Sequence, residues 1–210
     1  RDWCALGGHG GNMKTDRRSQ KTIAAIQNTV LRLMCTRRMN EIKIVDLCMA
    51  ADINRTTFYL HYRNISEVLK SLLDDMAARI FDSEDEANGD TAKGGTTLDF
   101  LIACAETLDR YEYFGEFVQK SPDADYFLTC LKNVLSDKIF AGMSRKCGSD
   151  AADAKHIIRF LAGGVLDVYV EWLKSDKSAA LGSVLNVCAP MVAAGQELLE
   201  KIAGGENKLF

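Results

Sequence analysis

The stretch that most constrains this chain runs from Ile44 to Arg63 and reads IVDLCMAADINRTTFYLHYR. Its first half is apolar at spacings of three and four residues, which is typical of one helix face. The residues on that face are Ile44, Leu47, Cys48 and Ala51. The pattern therefore predicts a short helix that packs one side against a core.

The second half begins a new helix after a tight turn. Asp52 interrupts the apolar pattern, and aspartate tolerates the left-handed backbone region better than most residues other than glycine. Asn54 is a favoured N-cap, because its side-chain oxygen can accept a hydrogen bond from a free backbone N–H. Phe58 and Tyr62, four residues apart, can pack inward.

The outer side of this second helix is polar and basic, and the segment has no acidic residue after Asp52. Its members are Arg55, Thr56, Thr57, Tyr59, His61 and Arg63. A helix rich in hydrogen-bond donors fits a negatively charged partner. Two helices joined by a turn of three to four residues predict a helix-turn-helix, which places its second helix in the major groove of DNA.

A longer run, from Arg17 to about Leu72, resembles the DNA-binding domain of the TetR family of bacterial transcriptional regulators. The resemblance is carried by RRSQKTIAAIQNTVLRLM, MNEIKIVDLCMAADINRTTFYLHYRN and SEVLKSLL, and NRTTFYLHYRN is its most specific part. It implies an all-α protein, in which a three-helix helix-turn-helix domain precedes a helical ligand-binding and dimerisation domain. It also implies that the helix after Arg63 transmits ligand binding to the DNA-binding domain.

The predicted DNA contacts fall into two groups. Phosphate contacts are expected from Arg17, Arg18, Thr57, Tyr59, His61, Tyr62 and Arg63, with Asn54 at the start of the helix. Base edges or nearby phosphates are expected to meet Lys43, Arg55 and Thr56. The predicted partner is a twofold-symmetric double-stranded DNA operator.

Charge is distributed unevenly along the chain. Residues 13–63 carry ten Lys/Arg against four Asp/Glu, a net +6, whereas residues 64–210 carry fifteen against twenty-four, a net −9. A basic head on an acidic body is typical of a nucleic-acid-binding protein, although a chance surface imbalance would give the same totals. No apolar run reaches membrane-spanning length and no secretion signal is recognisable, so the sequence predicts a cytoplasmic protein without a membrane partner.

The predicted domains follow these boundaries. Residues 1–12 are interpreted as a disordered extension or a tag, 13–64 as the helix-turn-helix domain, and 65–210 as the helical effector-binding and dimerisation domain. The acidic, glycine-containing segment from Ser83 to Gly95 is predicted to be a linker or mobile loop.

Aromatic and soft side chains in the body predict a pocket for an unidentified small-molecule effector. The candidates are Phe100, Cys104, Tyr111, Phe114, Phe117, Tyr126, Phe127 and Trp172, and each of them is also an ordinary core residue.

The last two helices are predicted to form a homodimer interface. Residues 160–166 form an unbroken run of small and apolar residues. The longer segment FLAGGVLDVYVEWL resembles the penultimate helix of a TetR subgroup, in which the last two helices of each subunit form a four-helix interface. The candidates are Phe160, Gly163, Gly164, Val165, Val168, Trp172, Leu181, Leu185, Cys188 and Val192. A helix buried within its own monomer is the alternative.

No catalytic arrangement or metal motif is recognisable, and neither an enzyme nor a cofactor is expected. Seven scattered cysteines are interpreted as buried free thiols, with a thiol-based redox sensor as the alternative. The predicted function is a ligand-responsive repressor that binds its operator as a dimer. The alternative is a regulator that acts as a coactivator by docking a partner protein through its acidic body.

Overall fold

The computed structural model describes residues 17–88, 96–143 and 151–204. The described residues form α-helices joined by short turns, with one turn of 3₁₀ helix at Met39–Glu41. The helices are α1 (Arg17–Met34), α2 (Ile44–Ala50), α3 (Arg55–His61), α4 (Ile65–Asn88), α5 (Thr97–Asp109), α6 (Phe114–Lys120), α7 (Ala124–Met143), α8 (Ala151–Lys174) and α9 (Leu181–Ala203). The predicted all-α class is confirmed.

Helices α1 to α3 form a small head around the buried faces that the sequence predicted. Ile26 and Val30 of α1, Leu47 of α2 and Phe58 of α3 are completely buried. Arg32 fixes α1 to α2, because its guanidinium donates to the carbonyl oxygen of Ala50 at 2.9 Å. The helical spacing of apolar residues therefore determines which side of each helix faces inward.

The long helix α4 connects the head to the body. Its first turn is capped by Asn64, whose side-chain oxygen accepts from the backbone N–H of Glu67 at 2.9 Å. The apolar side of α4, which includes Leu72 and Met76, is buried in a core that continues from α1 into α9. Helix α4 therefore touches both the head and the body.

The prediction for the segment from Ser83 to Gly95 was partly wrong. Helix α4 continues to Asn88 rather than ending near Asp82. Neither glycine nor proline interrupts the sequence before Gly89, so an acidic composition alone does not end the helix. The remainder of the predicted linker lies outside the described residues, as do the extension at 1–12 and the segment 13–16.

Helices α5 to α9 form the body. Hydrogen bonds between side chains join neighbouring helices there, since Tyr111 donates to Asp75 at 2.7 Å and Tyr169 donates to Asp109 at 2.6 Å. Pro190 lies inside α9, as predicted, and the helix runs through it. Within the described ranges, no helix is both long enough and apolar enough to cross a bilayer.

Candidate functional site

The turn between α2 and α3 has the geometry that the sequence predicted. Asp52 adopts a positive φ of 51°, and the backbone N–H of Ile53 donates to the carbonyl oxygen of Cys48 at 3.0 Å. Asn54 then caps α3, because its side-chain oxygen accepts from the backbone N–H of Thr57 at 2.7 Å and from the Thr57 hydroxyl at 2.9 Å. The start of α3 is thus fixed relative to α2.

Helix α3 presents the predicted polar side to solvent. Its inward anchor is Phe58, which is completely buried, whereas Arg55 and Thr56 are exposed and Tyr59 is half exposed. Thr57 and His61 are partly exposed at the edge of this surface. Since α3 contains no acidic residue, its exposed side carries hydrogen-bond donors without a neighbouring carboxylate on the same helix.

The remaining predicted DNA contacts lie near helix ends in the head, since Arg17 and Arg18 begin α1, Lys43 precedes α2, and Asn54 and Arg63 flank α3. Arg18, Lys43 and Arg63 are exposed, and Asn54 is exposed although its side-chain oxygen is occupied by the cap. Arg17 begins α1, and its side chain lies outside what the structure describes. The contact of these residues with DNA stays a prediction.

Tyr62 does not belong to this surface, and its prediction as a phosphate contact was wrong. The ring is only 7% exposed, and its hydroxyl shares a hydrogen bond with the Ser71 hydroxyl at 3.1 Å. Ser71 also accepts from Gln27 at 3.3 Å, so the three side chains join α1, α3 and α4. Phe58 and Tyr62 both pack inward because they are separated by one helical turn.

Sequence reasoning missed the apolar members of the exposed surface. Leu60 on α3 and Met49 on α2 are each 77% exposed, and Val45 is also exposed. Leu60 lies one turn after Thr56, on the side of α3 opposite the buried Phe58. The sequence contained a signal for this, because Leu60 is a large aliphatic residue on the otherwise polar side of α3.

A cavity of about 410 Å³ lies in the body between α4, α5, α7, α8 and α9. Two of the eight predicted ligand residues, Phe100 and Cys104, line it. Most of its wall is aliphatic, with contributions such as Leu101, Ile158 and Leu166. The volume falls within the range of small-molecule pockets in proteins.

The other six predicted ligand residues do not line this cavity, and their contact with a ligand stays a prediction. Phe114, Phe117 and Phe127 are buried in the core of α6 and α7, where the rings of Phe117 and Phe127 meet edge to face at 5.0 Å. Tyr111 is buried beside α4, Tyr126 is exposed, and the Trp172 indole donates to the carbonyl oxygen of Ala179. Aromatic side chains bury large apolar areas, and the rings of Phe114, Phe117 and Phe127 fill the core.

The structure divides the predicted dimer residues into three groups. Phe160 is 74% exposed, Gly164 is exposed and Gly163 is half-buried, and a methyl group added at either glycine would meet nothing within 4 Å. Leu185, Cys188 and Val192 are instead buried within the subunit, so their prediction as interface residues was wrong. Val165 is partly buried and lines the cavity, and its place in an interface stays a prediction. Val168, Trp172 and Leu181 are half-buried against the subunit's own core.

The exposed sides of α8 and α9 contain apolar residues that the prediction omitted. Val187 is 70% exposed and Met191 is 57% exposed, one turn apart on α9. The buried residues of α9 recur at the same helical period as these two, so period alone could not say which side faces inward.

None of the five cysteines in the described ranges forms a disulfide. Burial raises the pKa of the Cys35 thiol to about 11, and burial also raises the pKa of Cys48. A raised pKa keeps a thiol protonated at neutral pH, which favours the interpretation of these two as buried apolar residues rather than redox sensors.

No protein-family model matches the chain, and no curated protein matches it. Among solved structures, the chain is similar to a TetR transcriptional regulator from Streptococcus agalactiae 2603V, at 20% identity and a TM-score of 0.53 over 84% of this chain and 96% of that one. It is also similar to the dihydroxyacetone kinase operon activator DhaS, at 19% identity and a TM-score of 0.53 over 84% of this chain and 97% of that one. Both neighbours are named as regulators of transcription, and the chain has the all-helical fold of TetR transcriptional regulators.

Proposed function

We propose that this protein is a transcriptional regulator that binds double-stranded DNA through α3. The observation that carries the proposal is the exposed side of α3, where Arg55, Thr56 and Tyr59 face solvent while Phe58 anchors the helix. A capped helix held by a turn after α2 can enter a major groove with its N-terminal residues at the base edges. The fold similarity supports this proposal, because both named neighbours regulate transcription.

The chemistry of each side chain on this surface determines which DNA groups it would contact. Arg55 and Thr56 lie in the first turn of α3, where base edges are within reach, and Arg can donate two hydrogen bonds to a guanine. Tyr59, His61 and Arg63 lie farther along and would contact phosphates, which set register and orientation. Arg18 in the first turn of α1 and Lys43 directly before α2 add positive charge to the head.

The proposed active form is a homodimer in which the exposed sides of α8 and α9 meet their copies. Phe160, Val187 and Met191 are large apolar residues that solvent covers in the single subunit. Gly163 and Gly164 each cost roughly 1 kcal/mol relative to alanine in a helix interior, yet nothing within the subunit approaches them closely. Close approach of a second subunit supplies a reason for both features, and a twofold pair would bind two half-sites.

We further propose that a small molecule in the cavity of the body controls DNA binding, with release of the operator as the expected response. The cavity is lined by Ile80 and Phe81 of α4, the same helix that packs against α1 in the head. A ligand that binds more tightly to one position of α4 than to another would shift the equilibrium between these positions by the difference in binding free energy. The head would move with α4. The sign of regulation is proposed as repression, although one neighbour is named as an activator.

Selection of bound fragments from the source genome tests this proposal. The purified protein is mixed with sheared genomic DNA at low salt, where phosphate contacts are strongest, and the bound fragments are sequenced. We expect enrichment of a short inverted repeat upstream of a gene. A reporter behind that repeat then gives the sign: higher expression after deletion of the regulator means repression, and lower expression means activation.

The alternative, a coactivator that docks a partner protein through its acidic body, makes a different prediction for the same reporter. Replacing Glu84, Asp85 and Glu86 with glutamine would abolish the transcriptional output and leave operator affinity unchanged. Under the repressor proposal the output follows operator affinity, so both remain as in the wild type.

A further inference from the structure

The wall of the cavity in the body is almost entirely apolar. Leu101, Leu135, Ile158 and Leu199 come from four different helices and enclose it with aliphatic side chains. Such a wall stabilises a hydrocarbon body by removing it from water, at roughly 25 cal/mol for each Å² of apolar surface buried. It offers few hydrogen-bond partners to a polar ligand.

One charged side chain interrupts this wall. Lys138 of α7 lines the cavity, between Leu135 and Gly142 on the same helix. The neighbouring lysine Lys132 pairs with Asp167, whereas Lys138 has no carboxylate partner among the side chains that the structure describes. None of the residues lining the cavity in the described ranges is acidic, so a ligand would meet an ammonium group that no carboxylate of these lining residues neutralises.

The remaining polar groups of the wall are neutral. Tyr169 presents its ring, since its hydroxyl donates to the Asp109 carboxylate at 2.6 Å and burial raises the pKa of that phenol. Gln196 of α9 is exposed at the edge of the cavity and has both a donor and an acceptor. Neither group carries a charge, and the positive charge of Lys138 disfavours a cation.

We infer that the cavity binds an amphiphile with a hydrocarbon body and a single anionic head group, which pairs with Lys138. The inference deepens the ligand-responsive part of the proposed function and rests on it. The hydrocarbon lies against the aliphatic wall, and the anion satisfies the ammonium group with a charge-assisted hydrogen bond. Selection among such ligands follows chain length, because each added methylene buries more apolar surface.

Isothermal titration calorimetry with three ten-carbon probes tests which head-group charge the cavity prefers, and it requires no DNA. The probes are decanoate, 1-decanol and decylammonium, each kept below its aggregation concentration. We expect decanoate to bind with a stoichiometry of one per subunit, at roughly tenfold or more higher affinity than decanol, with decylammonium weakest. Octanoate should bind more weakly than decanoate by roughly fourfold for each methylene removed.

Substitutions of Lys138 then assign the preference to this side chain. In Lys138→Met, decanoate and decanol should bind about equally, while Lys138→Arg should retain the preference for the anion. Lys174→Met removes a lysine from the exposed end of α8 and serves as the matched control, with wild-type binding expected. Unchanged binding of decanol in Lys138→Met shows that the cavity has remained intact.

The inference is overturned if decanoate fails to bind, if decanol binds as tightly, or if Lys138→Met keeps the preference for the anion. A second measurement separates it from the proposed function. If decanoate binds with this pattern but the protein binds no genomic DNA, the ligand class stands and the proposed regulator fails. If operator binding is found and decanoate does not bind, the regulator stands and the ligand class fails.

Discussion

The carboxylate of Asp123, at the start of α7 in the body, accepts a hydrogen bond from the backbone N–H of Met39 in the head, at 2.6 Å. The same carboxylate lies 3.6 Å from the Arg38 guanidinium. Met39 begins the 3₁₀ turn that leads into α2, so this contact links the body to the element directly before the helix-turn-helix. A movement of α7 would therefore reach the head through this contact next to α2 as well as through α4.

Removal of the Asp123 carboxylate should destabilise the fold. The side chain is only one-fifth exposed, and Asp123→Ala leaves the Met39 N–H without its charged acceptor. We expect a loss of about 1.5–3 kcal/mol in the free energy of unfolding, measured by urea denaturation. Asp125→Ala is the control, because that side chain is 96% exposed, and equal losses in both variants would contradict the assignment.

Leu60 should contribute to DNA sequence recognition through the thymine methyl group. It is exposed on α3 one turn after Thr56, and an apolar side chain in the major groove can distinguish thymine by its C5-methyl. Leu60→Ala should weaken operator binding by about 1 kcal/mol, because the apolar surface of one or two methylene groups is no longer buried. Replacing one operator thymine with deoxyuridine should weaken wild-type binding in the same way and leave the Leu60→Ala variant unaffected.

The measurement is a double-mutant cycle over operators that carry deoxyuridine at one thymine at a time. A coupling energy at one or two thymines identifies the contact. If deoxyuridine costs the same in both proteins at every position, Leu60 does not contact a thymine methyl.

Introduction of charge on the exposed sides of α8 and α9 should abolish the proposed dimer. Phe160→Glu and Met191→Glu place a carboxylate where an apolar contact between subunits is proposed, and a stable interface buries about 800 Å² on each partner. Analytical ultracentrifugation should show dimers for the wild type and monomers for both variants. Thr129→Glu on the exposed side of α7 should remain dimeric, and a monomeric wild type would refute the proposal.

The free energy of unfolding should fall above a pH of about 9 because of the Cys35 thiol. The folded-state pKa of this thiol is raised to about 11 by burial and then by Glu116, so the folded state retains a proton that the unfolded state loses above a pH of about 9. Stability is therefore full below pH 9 and decreases as the pH rises toward 11. Cys35→Ala should reduce this decrease by about 2 kcal/mol in pH-dependent urea denaturation, and a parallel decrease in both proteins would contradict the cause.

The head could be predicted from the sequence because local signals agree there. The Asn54 cap, the positive φ of Asp52 and the inward Phe58 are each determined within a few residues. Tyr62 was predicted both to pack inward and to contact phosphate, and its position depends on Ser71, nine residues away. Contacts of that kind are set by how helices pack.

The body was less predictable because its helices are apolar on more than one side. In α9, Leu185 and Val192 line the cavity while Val187 and Met191 are exposed, and all four are apolar. When all sides of a helix are apolar, its amino-acid composition does not show which side packs in the core, which lines a cavity and which is exposed. The sequence analysis did not identify Lys138 as a ligand residue, because a lysine on a long helix is ordinarily a surface residue.

The most direct test of the central proposal is an electrophoretic mobility shift assay with a selected genomic fragment and an Arg55→Ala variant. At low salt, the wild-type protein should shift the fragment, and affinity should fall steeply as salt increases. Arg55→Ala should weaken binding by about 1–3 kcal/mol, while Lys174→Ala, which removes the same charge from the body, should bind as the wild type does. Equal binding by the two variants, or no shift of any genomic fragment at low salt, would contradict the proposal that α3 binds DNA.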